Sequence, residues 1–194
     1  MEIVAVQAPT AADTRQRLID VAVDLFTRHS FAGTSLQMIA DEMGFTKAAI
    51  YYHFRTREEL LDAVVEPIFE QLSAVVAEAE RQRGANGRAD YMLRGYAELA
   101  VANRALVSVL ACDPSVTTLL RGQPRWADFI DRQLTLLAGT EPGPGGLIKA
   151  TVALAGISSA VGPAWITVAD DDLLRHLLDT GRRTLGLRKK GIRS

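Results

Sequence analysis

The chain has 194 residues, 22 Lys and Arg against 23 Asp and Glu, a net charge of −1, and 48% hydrophobic residues. That is the make-up of one or two ordinary soluble domains able to bury a core, and it excludes a globally basic nucleic-acid surface. The one cysteine, Cys112, excludes an internal disulfide and fits a reducing cytoplasm; it reads as a small core residue, or less readily as a redox sensor.

The first ten residues, MEIVAVQAPT, lack the basic start and the long apolar run of a signal peptide and read as a frayed arm. A first helix is predicted from Asp13 to His29. Leu18, Val21, Ala22, Leu25 and Phe26 recur at helical spacing along it, and Asp13 with Gln16 can cap it. Arg15 or Arg17 near its start could reach a phosphate or sit in solvent. Residues 34–54, TSLQMIADEMGFTKAAIYYHF, predict two short helices joined by a tight turn. Thr34 and Gln37 form a capping-box pattern, and Leu36, Ile39, Ala40 and Met43 share an apolar face. Gly44 stands where a helix ends in left-handed dihedrals. Phe45 reads as a buried anchor, Thr46 caps the next helix, and Ile50 and Phe54 share a face one turn apart.

Such a hairpin, in its DNA-binding form, lays its second helix in the major groove. Lys47 can donate to guanine, Ala48 and Ala49 can meet thymine methyls, and Tyr51, Tyr52 and His53 can donate to phosphates. No acidic residue lies between Glu42 and Glu58, whereas Lys47, Arg55 and Arg57 are cationic. The alternative is a plain helical hairpin with Tyr51 and Tyr52 half in the core. The run Thr-Ser-x-x-x-Ile-Ala-x-x-x-Gly-Phe-Thr-x-x-x-Ile-Tyr-x-His-Phe, followed by RTREELLDAV, closely resembles the signature of TetR-family transcriptional regulators across residues 13–65. The resemblance implies an all-α chain of about nine helices. Residues 1–56 would be a three-helix DNA-binding domain and residues 57–194 a helical effector-binding and dimerisation domain. Candidate DNA contacts are then Thr34, Ser35, Thr46, Lys47, Ala48, Ala49, Tyr51, Tyr52, His53 and Arg57, the last at a phosphate-contacting position where the family usually has Lys.

A fourth helix starts at Thr56, with Glu59 as box partner, and carries an apolar face from Leu60 to Val76. Pro67 inside it removes the bond to the Ala63 carbonyl and predicts a kink, either a hinge or a static bend. RGANGRAD (83–90) predicts a turn, residues 88–111 a helix, Asp113-Pro114 and Gln123-Pro124 two further helix starts, and GTEPGPGG (139–146) a breaker loop without a phosphate-binding ending. Residues 150–169 carry no charge and are long enough to span a membrane. Their small residues and Pro163 favour a protein core or helix interface instead. Residues 170–187 form a last amphipathic helix, acidic at its start and basic at its end, before a basic tail.

The resemblance further implies a homodimer through the last two long helices, double-stranded DNA as partner, and a small-molecule effector that releases a repressor from a pseudo-palindromic operator. Candidate pocket residues are Phe69, Met92, Tyr96, Trp126, Phe129 and Trp165, with Asn103, Arg104 and His176 as possible orienting groups. Three histidines and one cysteine without metal or nucleophile spacing argue against an enzyme, a metal and a cofactor. A helical adaptor that binds protein through the hairpin is the other reading.

Overall fold

The computed structural model describes residues 10–162 and 166–187, except for the side chains of Ala111 and Cys112. The N-terminal arm before residue 10, Pro163, Trp165 and the tail beyond residue 187 lie outside the described residues, as does the packing of Cys112. Every regular element described is helical, ten in all. Close packing divides the chain into two units, one ending at Glu66 and the other starting at Pro67.

The first unit holds α1 (Ala11–Gly33), α2 (Leu36–Met43), α3 (Lys47–His53) and the opening turns of α4 (Arg57–Arg81). Leu60, Leu61, Val64 and Val65 are buried and belong to this unit, so the packing boundary falls well inside α4, later than the residue 56 read from the sequence. Leu18, Ala22, Leu25 and Phe26 of α1, Ile39 and Ala40 of α2, and Ile50 of α3 form its core with Phe31 and Phe54.

The caps differ in detail from expectation. Thr10, not Asp13, caps α1, and Asp13 is its box partner; the two hydrogen bonds from Thr10 hold the Asp13 carboxyl below its usual range. Ser35, not Thr34, caps α2 by accepting from the Met38 amide at 3.2 Å. Either residue fits the sequence pattern, but Thr34 is 1% exposed and gives its hydroxyl to the Ser30 carbonyl at 2.8 Å. Gly44 takes the left-handed conformation, φ 67°, that ends α2. Thr46 caps α3 as its position suggests. At α4 the Glu59 amide donates to Thr56, while the Glu59 carboxylate accepts from the Arg55 amide rather than from Thr56. α1 also runs past His29, through a non-helical Ser30 at φ 64° and ψ 164°.

The second unit is built from the rest of α4, α5 (Gly84–Ala102), α6 (Arg104–Cys112), α7 (Pro114–Arg121), α8 (Pro124–Ala138), α9 (Pro144–Val161) and α10 (Asp170–Thr184). α9 packs against α5, α6, α8 and α10, and α5 packs against α8 and α10. Three corrections explain the tenth helix and the shifted ends. The expected turn at 83–90 is helix from Gly84, whose φ of 73° makes the turn in a single residue. The expected helix 88–111 breaks at Asn103, whose side chain takes the Leu99 carbonyl at 2.8 Å. The helix expected in the uncharged stretch 150–169 runs Pro144–Val161 instead, with proline in its first turn and one charged residue, Lys149, paired with Glu141.

Paired charges tie the unit together. Arg182 holds Asp90 through two bonds, joining α10 to α5, and Arg132 holds Glu80 likewise, joining α8 to α4. Arg104 closes the α9–α10 connection through the Val161 carbonyl and Asp170, so its guanidinium has a structural occupation. His176 is exposed on α10.

Candidate functional site

Two places collect the candidate residues, α3 in the first unit and a cavity in the second. α3 is positioned from beneath by Ile50 and Phe54, at 1% and 2% exposure, and from its start by the Thr46 cap. With its underside fixed in the core, the helix presents Thr46, Lys47, Ala48, Tyr51 and Tyr52 to solvent, with Ala49 and His53 half-buried. Tyr52 is 81% exposed. An aromatic ring left that bare on a rigid helix loses the burial of a large apolar surface, a common mark of a binding surface. Its ring meets His53 edge-on at 5.1 Å, and the Lys47 ammonium lies 5.6 Å from the centre of the Tyr51 ring. The face therefore sets one cation, Lys47, beside aromatic groups that can donate hydrogen bonds. Ser35 is exposed at the start of α2, its hydroxyl engaged in the cap.

Two of the expected DNA contacts are differently placed. Thr34 is buried, so its side chain is a buttress under the α1–α2 turn rather than a surface donor. Arg57 turns back onto the end of α1. Its Nη1 donates to the carbonyls of Phe31, Ala32 and Thr34 at 3.0, 3.0 and 2.9 Å, and its guanidinium lies 4.9 Å from the Phe31 ring centre. A cation there satisfies carbonyls that a helix leaves unpaired at its C-terminus and opposes the negative end of the helix dipole. Arg28 is engaged by Asp24 and Glu42, and its hydrogen bond to Asp24 raises its pKa above the ordinary value.

Residues 18–64 match the family described as bacterial regulatory proteins, tetR family. Over 58 residues, 30% of the chain, the sequence is 40% identical to the HTH-type transcriptional regulator SrpR of Pseudomonas putida. The N-terminal unit of the chain carries the helix-turn-helix domain of the TetR family. In such a domain the second helix of the motif, here α3, is the one that the motif's docking geometry lays in the major groove. The sequence match spans 27% of SrpR, about a quarter of its length. The fold likeness extends over the whole chain. The ketosteroid transcriptional regulator KstR2 of Mycobacterium tuberculosis superposes with a TM-score of 0.70 at 17% identity, covering 92% of this chain and 96% of that one. AmtR of Mycobacterium smegmatis gives a TM-score of 0.70 at 22% identity, covering 98% and 92%. Members of this family are regulatory proteins rather than enzymes, and no cluster of metal-binding side chains occurs among the described residues.

In the second unit a cavity of about 330 Å³ opens between α4, α5, α8 and α9, flanked by α6 and α7. Of the expected pocket residues, Tyr96, Trp126 and Phe129 line it. Phe69 stands behind the wall, packed edge-on against Trp126 at 4.7 Å. Met92 is fully buried core, because its helix turns it toward the packed interior. Sequence reasoning missed Gln133, Ser158, Thr117 and Arg121 on the wall. Gln133 carried a signal, since it lies seven residues after Trp126 on the apolar face of α8. Burial pushes the Tyr96 phenol pKa up against the smaller opposing effect of its bond to Ser158, so the phenol stays protonated.

Proposed function

We propose that the protein is a homodimeric transcriptional regulator, acting as a repressor that a small apolar effector releases from a pseudo-palindromic operator. The observation that carries this reading is the face of α3, where an exposed Lys47, Tyr51 and Tyr52 ride on a helix rigidly seated in the head. Lys47 and the alanines of the first turn would read base edges, while Tyr52, His53 and Ser35 would grip the sugar-phosphate backbone.

Two further features support it. The outer face of α9 exposes Leu147, Ile148 and Val152, an apolar stripe on a helix that water disfavours and a second copy would cover. α9 is also long and apolar enough to cross a membrane, yet it packs among four helices of the body, which favours a subunit interface in the cytoplasm over a lipid one. The cavity supplies a place for the effector. For release, the effector must bind the arrangement with low DNA affinity better than the other.

The test is fluorescence anisotropy of a labelled duplex carrying the DNA upstream of the protein's own gene. A regulator binds it in preference to random duplex, with affinity falling steeply as salt rises. Equal affinity for both duplexes, or no binding to either, refutes the reading and leaves the head as a protein-docking hairpin.

A further inference from the structure

The cations of the head are not equally available. Arg57 is taken up by the carbonyls at the end of α1, and Arg28 by Asp24 and Glu42. Lys47 stands at the start of α3. The guanidinium groups of Arg15, Arg17 and Arg55 make no hydrogen bond or ion pair with any described residue, and all three side chains are exposed.

Two of these free arginines belong to one corner of the head. Arg15 lies in the opening turns of α1, and its guanidinium carbon is 5.0 Å from the centre of the Phe54 ring. Phe54 ends α3 and is 2% exposed, so the surface under Arg15 is fixed by the core. Arg55 follows Phe54 directly. The start of α1 and the chain leaving α3 thus each bring an arginine to the C-terminal end of α3. The neighbouring carboxylates are engaged elsewhere: Asp13 by Thr10, Glu58 by Arg57, and Glu59 by the Arg55 backbone amide.

The position of this corner suggests its use. α3 has seven residues, roughly 10 Å of helix, and the major groove of DNA is about 12 Å wide. A helix of that length laid in the groove brings its ends up to the phosphate rails. Its C-terminal end is the less suitable one for a phosphate, because unpaired carbonyls and the negative pole of the helix repel an anion. Cations there reverse the sign. A guanidinium can meet phosphate oxygens through two parallel bonds. One already seated over a fixed ring gives up less rotamer freedom on binding.

We infer that Arg15 and Arg55 form a two-arginine clamp on the DNA phosphates at the C-terminal end of α3, separate from the Lys47 end and from the Arg57 clip. The inference rests on the DNA-reading role proposed above and adds two contacts to it. Arg17 takes no part, since two residues on from Arg15 it lies about 200° around α1.

The test is anisotropy of the full chain with the labelled upstream duplex and with a random duplex, repeated across a salt series. Each phosphate neutralised contributes about 0.9 to the slope of log affinity against log salt. Arg15→Ala and Arg55→Ala each flatten that slope by about one unit per head on both duplexes, and the double variant by about two. Arg15→Lys keeps the charge and the parental slope, and Arg17→Ala leaves the slope unchanged. An Arg15 that served only to cover Phe54 would lower affinity without altering the slope. A parental slope in either alanine variant overturns the clamp, as does an Arg17→Ala slope as flat as theirs. Arg55 covers no ring among the described residues, so Arg55→Ala decides the question even where Arg15→Ala fails to fold. A parent protein that binds neither duplex overturns the DNA-reading role and the clamp with it. A steep parental slope that persists in the alanine variants overturns the clamp alone.

Discussion

Replacing Arg57 separates two roles that sequence reasoning merged. As a phosphate contact, Arg57→Ala would weaken DNA binding and lower the salt slope by roughly one unit per head. As the clip seen here, it holds the end of α1 against α4 through three carbonyls within 3.0 Å. One guanidinium nitrogen carries two hydrogens, so two of the three bonds can be well formed at once. Charge-assisted bonds contribute about 1.5–3 kcal/mol each when buried, and the side chain is 33% exposed, so water recovers part of that. The expected cost of Arg57→Ala is about 2–3 kcal/mol. At about 2–4 °C per kcal/mol for a chain of this size, the melting temperature falls by roughly 4–12 °C. Arg57→Lys keeps a point charge but loses the planar fork over Phe31 and recovers only part of the loss. Circular dichroism melting and anisotropy across a salt series measure both quantities. Unchanged melting together with a lowered salt slope would show that the guanidinium serves phosphate and that the clip contributes nothing.

Four further outcomes follow from particular contacts. Lys47→Ala relaxes preference at one base position, by about 1–3 kcal/mol for a bidentate contact, whereas Tyr52→Phe weakens all duplexes alike; a binding-site selection compares them. Ser30→Gly is more stable than Ser30→Ala in urea unfolding, inverting the usual order inside a helix, because Ser30 sits at φ 64° where a Cβ is strained. Gly95→Ala costs about 1–3 kcal/mol, since its added carbon would lie 2.4 Å from Val75 Cγ1, and Val75→Ala in the same chain relieves most of it. Ile148→Glu on the exposed face of α9 shifts sedimentation from dimer to monomer; a persistent dimer would place the subunit interface elsewhere.

Local chemistry was legible in the sequence, and contacts across distance were not. Gly44 and Thr46 mark the ends of α2 and α3 because a left-handed terminus and a cap each demand a particular residue type. Thr34 and Ser35 offer the same cap chemistry side by side, and only the packing under Phe31 decides which one faces outward. Asn103 breaks a helix with neither glycine nor proline, by turning its own amide onto the preceding turn, an option open to any asparagine. The Arg57 clip joins residues 23 to 26 positions apart, beyond the reach of any periodicity. The cavity shows the same divide. Tyr96, Trp126 and Phe129 were found by their size, but Ser158, which meets the Tyr96 phenol from 62 positions away, depends on the three-dimensional hydrogen-bond network.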